Sequence, residues 1–390
     1  MYRIKTYNAI SPKGLNRFSR DTYEVSSECS TPDAYLLRSH KLHGETIPGG
    51  LKAVARAGAG VNNIPVADYT KAGICVFNTP GANANAVKEL VLAGLLLSSR
   101  DIVGGMNYSQ SLTDMTDAAE MGALLEKEKK RFAGNELYGR TLGVVGLGAI
   151  GSMVAEMALA MGMNVVGFDP ALSVEAAWRL PSQVERAENL PSLLSRSDYI
   201  TLHVPALDVT RHMINADSLK SVKTGAVLLN FARDAIVDAH AVVASLDEKQ
   251  LGKYVCDFPE PCLLGRADVL AMPHIGASTE EAEENCAIMA ADQVKDYLEN
   301  GNIRNSVNFP AINLPRAEGH RITFVNDNVS GVLGHVLSIF TDNHINVLDM
   351  MNKSRGDVAY NIIDVEQAPH PELLQAILQV EHVIAARFLD

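Results

Sequence analysis

Residues 141–151 read Thr-Leu-Gly-Val-Val-Gly-Leu-Gly-Ala-Ile-Gly, and residues 164–169 read Asn-Val-Val-Gly-Phe-Asp. An apolar run meets a glycine turn, a helical pattern follows, and a second apolar run ends in an acid. This order predicts a strand–turn–helix–strand unit that holds a dinucleotide. Gly146 permits the tight turn, Gly148 lets the backbone approach a diphosphate, and Gly151 lets the helix pack close to the sheet. Ala149 and Ile150 open the helix, whose unpaired N–H groups point at the phosphates. Asp169 can accept hydrogen bonds from a ribose diol and would repel a phosphate there, which favours NAD over NADP.

The chain has 390 residues, enough for two or three domains. Its formal charge of −12 argues against a nucleic-acid surface and requires a local cationic pocket for any anionic substrate. Cys29, Cys75, Cys256, Cys262 and Cys286 are scattered. An odd count without metal spacing implies free thiols in a reducing, cytoplasmic setting and no metal site. Met1–Lys5 is strand-like and carries no secretory pattern. The stretch from Leu142 to Phe168 imitates a membrane span, but its glycines, Glu156 and Asn164 fit a buried βαβ unit, so no membrane partner is expected.

Strand-like runs appear at Ala34–Leu37, Leu51–Ala55 and Ile74–Phe77, and a long apolar helix pattern covers Ala84 to Arg100. The charged run Glu126–Arg131 reads as a solvated helix face or linker. Between Gly139 and Met272, strands at 199–203, 226–230, 254–257 and 269–272 alternate with helices, as in a doubly wound parallel sheet. A helix from about Ser278 to Glu299 carries four glutamates on its early turns, where acids suit the positive helix end. Asn308–Pro315 is a proline-marked linker. Beyond it the order reads βαββαβ, a ferredoxin-like sandwich.

Arg233, Glu260 and His274 stand at expected strand ends, where open α/β sheets place ligands. Oxidising a secondary alcohol needs a base for the hydroxyl proton, and imidazole, with a free pKa of about 6.5, suits that role. A carboxylate can orient the ring, and an arginine can hold a substrate carboxylate through two N–H bonds.

The glycine turn, Asp169, the Arg233 segment and Pro273-His274-Ile275-Gly276-Ala277-Ser278-Thr279 resemble the D-isomer-specific 2-hydroxyacid dehydrogenases over most of residues 30–310. Arg56–Asn63 and Asn78–Asn83 are similar to the phosphoglycerate dehydrogenase branch. The resemblance implies a discontinuous substrate domain (1–88 and 275–308) around a nucleotide domain (89–274). It assigns Arg233 to the substrate carboxylate, His274 to acid–base work and Glu260 to the histidine's partner. Ala59 and Gly60 would meet the carboxylate through their backbone. Asp257 would meet the nicotinamide carboxamide. His203, Val204, Pro205, Thr210, Phe231, Ala232 and Gly276 would line the cofactor, with Arg233 and His274 beside it. Arg38, Arg56 and Lys41 would hold a phosphate, and Lys129, Lys130 and Arg131 match a segment that reaches a neighbouring subunit. Two departures stand out: Asp234 replaces a usual glycine, and the interval from Arg233 to Glu260 is about two residues short. If that loop shifts, Asp257 is the alternative partner of His274.

Residues 317–390 resemble an ACT domain, a small amino-acid-binding module, with Asn326, Asn328 and Asn346 at its effector positions. The branch implies NAD-dependent oxidation of D-3-phosphoglycerate at the entry to serine synthesis, serine feedback, and a homodimer or homotetramer. The alternatives are a glyoxylate or hydroxypyruvate reductase, and an NAD-sensing binding protein of the same fold.

Overall fold

The computed structural model describes residues 1–389. Contacts divide the chain into two compact units, Met1–Asn83 with Glu280–Asp390, and Ala84–Thr279. The first unit opens with β1 (Tyr2–Thr6), α1 (Pro12–Leu15), β2 (Tyr23–Ser26), β3 (Ala34–Leu37), β4 (Ala53–Arg56), α2 (Val66–Lys71) and β5 (Cys75–Phe77). These strands form a parallel sheet in the order β2-β1-β3-β4-β5. Strand β3 is buried along its whole length. A parallel sheet is covered on both faces, so such strands read as continuous apolar runs. Strands β1 and β2 depart from this pattern, with only Ile4 and Tyr23 buried in them.

The second unit begins with three helices, α3 (Ala84–Ser99), α4 (Ile102–Gln110) and α5 (Ala118–Glu128). The charged run ends α5 and continues into a 3-10 turn; Lys129 pairs with Glu126 at 2.5 Å and Arg131 with Glu128 at 2.9 Å. Then come β6 (Thr141–Val145), α6 (Ala149–Ala160), β7 (Asn164–Phe168), α7 (Val174–Ala177), β8 (Glu185–Arg186), α8 (Leu190–Arg196), β9 (Tyr199–Leu202), α9 (Ala216–Leu219), β10 (Ala226–Asn230), α10 (Ala239–Asp247), β11 (Leu251–Cys256) and β12 (Val269–Ala271). The seven strands pair in parallel in the order β12-β11-β10-β9-β6-β7-β8. The chain runs outward from β6 through β7 to β8, then returns to β9 on the other side of β6. That reversal makes the β6/β9 boundary the switch point where such sheets bind ligands. Among the described residues no helix is long and apolar enough to cross a membrane; the span-like stretch is β6, α6 and β7.

The rest of the first unit is α11 (Glu280–Asn300) followed by β13 (His320–Asp327), α12 (Val332–Asp342), β14 (Val347–Arg355), β15 (Val358–Val365), α13 (Pro371–Leu378) and β16 (Val383–Leu389). The four strands form an antiparallel sheet, β14-β15-β13-β16. One face packs Ile322, Phe324, Ile363 and Val365 against Val336 and Phe340 of α12 and Leu373 and Ile377 of α13. The other face joins Val325, Val358, Tyr360 and Ile362 to the core that holds Ile4, Leu36 and Phe77 with Ala290 and Val294 of α11. Alternate residues of β13 thus serve opposite faces, as period two requires. The expected linker is packed: Phe309, Ile312 and Leu314 are buried in the same core.

One charged group fastens this arrangement. Arg321, fully buried, meets both carboxylate oxygens of Asp364 at 2.7 Å. Its remaining N–H groups donate to the carbonyls of Asn300, Leu314 and Pro315, each at 2.9 Å. A guanidinium buried at this depth persists only with such complete pairing.

Candidate active site

Each candidate of the second unit sits where a strand of the parallel sheet ends. After β6 the chain turns at Gly146, whose φ of 89° is a left-handed value. Its N–H donates to the Phe168 carbonyl at 2.8 Å. A Cβ on Gly151 would lie 1.9 Å from the Gly146 carbonyl oxygen, so only glycine allows α6 to start there. A Cβ on Gly148 would meet nothing within 4 Å. Gly148 is also the N-cap of α6 and offers no side chain to the helix's first N–H groups. Open space above uncapped N–H groups of a twelve-residue helix is the cradle a diphosphate fills. Asp169 follows β7 directly. Its carboxylate accepts the N–H of Leu147 and of Ala171, both at 2.9 Å, which fixes the acid beside the turn. These residues fit a dinucleotide.

The strand ends β9 and β10 add polar groups. His203 bonds through Nε2 to Thr201 Oγ1 at 2.9 Å, while its shielded Nδ1 has no partner among the described residues. Burial lowers its pKa to about 3, so the ring is neutral. Thr210 fastens the loop of Val204 and Pro205: its hydroxyl donates to the Pro205 carbonyl at 2.6 Å and accepts the Leu207 N–H at 2.8 Å. Beyond β10 the side chains of Phe231 and Ala232 are buried in the core. Arg233 is half-buried, and its Nη1 donates to the Ala232 carbonyl at 2.5 Å. Asp234 starts a 3-10 turn with its side chain exposed and its φ outside the left-handed region. An aspartate is therefore unstrained where a glycine was expected.

Beyond β11, Asp257 is buried, and its two oxygens accept the N–H groups of Ile275 and Gly276 at 2.7 Å each. His274, just before them, is exposed with a left-handed φ of 57°. Its ring packs at 53° to Phe258, with centroids 4.8 Å apart. Glu260 and His274 share no hydrogen bond among the described residues. The Glu260 charge bears instead on Tyr254 and Cys256, whose pKa values are raised first by burial and further by this carboxylate.

The first unit holds the other cationic candidates. The Arg38 carbonyl accepts Arg56 Nε at 3.0 Å and Asn63 Nδ2 at 3.2 Å, and the Arg38 guanidinium pairs with Glu283 at 2.5 Å. Lys41 is exposed. The Ala59 carbonyl accepts Asn78 Nδ2 at 2.6 Å, while the N–H groups of Ala59 and Gly60 have no acceptor among the described residues. Such N–H groups suit an incoming carboxylate.

Of the three effector candidates, Asn346 lies apart from Asn326 and Asn328. Asn326 is buried, with Oδ1 accepting Asn361 Nδ2 at 2.8 Å. Asn328 donates to the Gly356 carbonyl at 3.0 Å, and Asn346 to Glu366 at 3.1 Å. Asn346 precedes Val347, which is level with Val365 and hence with His320, at the far end of β13 from Asn326. At about 3.4 Å per residue, roughly 20 Å separates the two. A small ligand cannot touch both within one chain.

Comparison with known proteins gives this geometry a relationship. Residues 105–276 match the family model "D-isomer specific 2-hydroxyacid dehydrogenase, NAD binding domain". A hydroxypyruvate reductase of Thermotoga maritima is 37% identical over 274 residues, covering 67% of this chain and 83% of that protein. The chain belongs to the D-isomer-specific 2-hydroxyacid dehydrogenases. A D-3-phosphoglycerate dehydrogenase of Methanocaldococcus jannaschii is 38% identical over 268 residues, 67% of this chain. This chain spans about half the length of that relative, 48%. Among solved structures, an NAD-bound 3-phosphoglycerate dehydrogenase of Entamoeba histolytica matches with a TM-score of 0.61 at 25% identity, covering 79% of this chain and 98% of that one.

The NAD-binding domain of this family member contains the glycine turn, Arg233 and His274. Sequence reasoning overlooked Asn230 and Phe258 in this unit and, in the first unit, the partner of Arg38. Fully buried Asn230 donates to the Arg233 carbonyl at 2.9 Å and accepts the Ala232 N–H at 3.1 Å, which holds the arginine segment. A lone amide ending an apolar strand was the available signal. Phe258 packs on His274, and Glu283 pairs with Arg38; neither contact has a local signature.

Proposed function

We propose that the protein is an NAD-dependent dehydrogenase that oxidises D-3-phosphoglycerate to 3-phosphohydroxypyruvate. One observation carries the reading: the glycine turn, Arg233 and His274 follow β6, β10 and β12, on the same edge of one parallel sheet. Gly146, Gly148, Ala149, Ile150, Gly151 and Asp169 would hold NAD, with Val204, Pro205 and Gly276 beside it. When bound, NAD supplies the hydride acceptor. His274 takes the proton from the substrate hydroxyl at its ring nitrogen. Arg233 holds the substrate carboxylate and the oxygen that becomes the carbonyl, and the N–H groups of Ala59 and Gly60 support the carboxylate. Asp257 keeps the histidine segment in place, and Glu260 steadies the charge His274 acquires. Arg38 and Arg56, assisted by Lys41, hold the phosphate through charge-assisted bonds.

Absorbance of NADH with a panel of hydroxy and keto acids tests the reading. Turnover restricted to D-3-phosphoglycerate and its keto product is expected. Absence of turnover with every acid, despite NAD binding, would replace it with an NAD-sensing role. A hydroxypyruvate or glyoxylate reductase is the second reading, favoured by the 83% coverage of the Thermotoga maritima relative. Higher kcat/KM on the unphosphorylated acid would select it. On the first reading, serine is the effector of the βαββαβ sheet, supported by its strand order, and the working form is a homodimer or homotetramer in a reducing compartment. Protection against thermal unfolding by millimolar serine tests the effector.

A further inference from the structure

We propose that Glu283 is a built-in competitor for the anion at Arg38, setting how strongly phosphorylated acids are held relative to unphosphorylated ones. The inference rests on assigning Arg38 to the substrate phosphate. Arg38 follows β3, and its backbone is fixed by Arg56 and Asn63 through their bonds to its carbonyl. Its guanidinium does not stand open: Nη1 lies 2.5 Å from Glu283 Oε1. Carboxylate and phosphate oxygens engage the same guanidinium N–H fork, so a phosphate at Arg38 must displace Glu283 or share the fork with it.

Three features make Glu283 a fixed competitor rather than a casual surface contact. It lies in the first turn of the 21-residue α11, where the helix end favours a carboxylate. One turn further on the same face, Cys286 is buried, and its thiol is raised by burial and pulled back by both Arg38 and Arg56. The two guanidinia and Glu283 therefore converge on one end of α11. Finally, the Arg38 and Glu283 side chains are 38% and 46% exposed, so the pair is weak enough for a dianion to exchange. Glu284, the next residue, points to a different cation, Lys13 at 2.6 Å.

An unphosphorylated acid brings nothing to Arg38 and leaves the pair intact. A phosphorylated acid must break it or share the guanidinium with it, and either way brings negative charge beside Glu283. Glu283→Gln removes this competition while keeping the side chain's size, and Glu284→Gln removes an equal charge one residue away. Thermal unfolding with titrated inorganic phosphate reads the anion site without catalysis, and steady-state kinetics read KM and kcat for D-3-phosphoglycerate and D-glycerate. In Glu283→Gln, phosphate binding tightens about 3- to 10-fold, the scale of one unit charge about 4 Å away when water screens it. KM for D-3-phosphoglycerate falls by a similar factor with kcat within twofold, KM for D-glycerate holds, and Glu284→Gln behaves as the parent. Unchanged or weaker phosphate binding in Glu283→Gln, or equal tightening in Glu284→Gln, overturns the proposal. If the parent does not oxidise D-3-phosphoglycerate but Glu283→Gln still binds phosphate more tightly, the substrate reading fails and the competition at Arg38 stands.

Discussion

Asp257 and Gly276 are joined by a 2.7 Å hydrogen bond from backbone N–H to carboxylate, two residues beyond His274. With the matching bond from Ile275, both oxygens of a buried acid hold the segment that carries the candidate base. Asparagine offers one acceptor oxygen and turns an N–H₂ group toward the second N–H. Asp257→Asn should therefore lower stability by about 1–3 kcal/mol and kcat by about 100-fold through the displaced imidazole. Glu260→Gln, by contrast, should leave stability within about 0.5 kcal/mol and lower kcat about tenfold. Denaturant titration and steady-state kinetics on both variants decide which acid serves His274; the reverse ranking would assign the partner role to Glu260.

His274→Ala should reduce kcat by a factor of about 10² to 10⁴, the range for a general base. NAD affinity should change little, because the glycine turn and Asp169 do not depend on this side chain. Calorimetric titration with NAD beside turnover makes the check, and full turnover in the variant would remove His274 from its role.

His203 ties stability to pH. Its folded pKa, lowered to about 3 by burial, lies below the unfolded value of about 6.5. Between those values the unfolded chain binds a proton that the folded chain does not, so stability falls as pH drops. The slope approaches about 1.4 kcal/mol per pH unit. His203→Gln should flatten the acid limb of stability between about pH 6.5 and pH 4, measured by denaturation across that range. A limb as steep as the parent's would show that another group sets it.

Arg321→Ala should cost about 3–5 kcal/mol, because Asp364 would remain buried without its partner. Loss of helix and strand signal in circular dichroism at lower denaturant is the expected readout. A shift below about 1 kcal/mol would mean that water reaches the pair.

The parallel-sheet fold class and the glycine turn were legible because apolar runs, turn glycines and the closing Asp169 are local signals. Strand β3 begins and ends where its apolar run does. Strand β2 was not legible, since it lies at a sheet edge with one buried residue. Arg233 and His274 stand out through their positions after strands. The groups that hold them do not: Asp257 reaches a loop beyond another strand, and Asn230 works by being buried, which no sequence spells out. The contact of Arg38 with Glu283 joins segments far apart in sequence and becomes visible only once β3 and α11 are packed together.

The donors of Arg321 reach Asp364 on β15, the end of α11 and the Leu314–Pro315 stretch at once. The antiparallel sheet is thus no detachable appendage. A protease cutting near Pro315, or a gene lineage shedding everything after it, would strip one wall from the interior around Ile4 and Phe309 and leave that interior wet. Any shorter descendant would have to re-line this surface before it could stand alone.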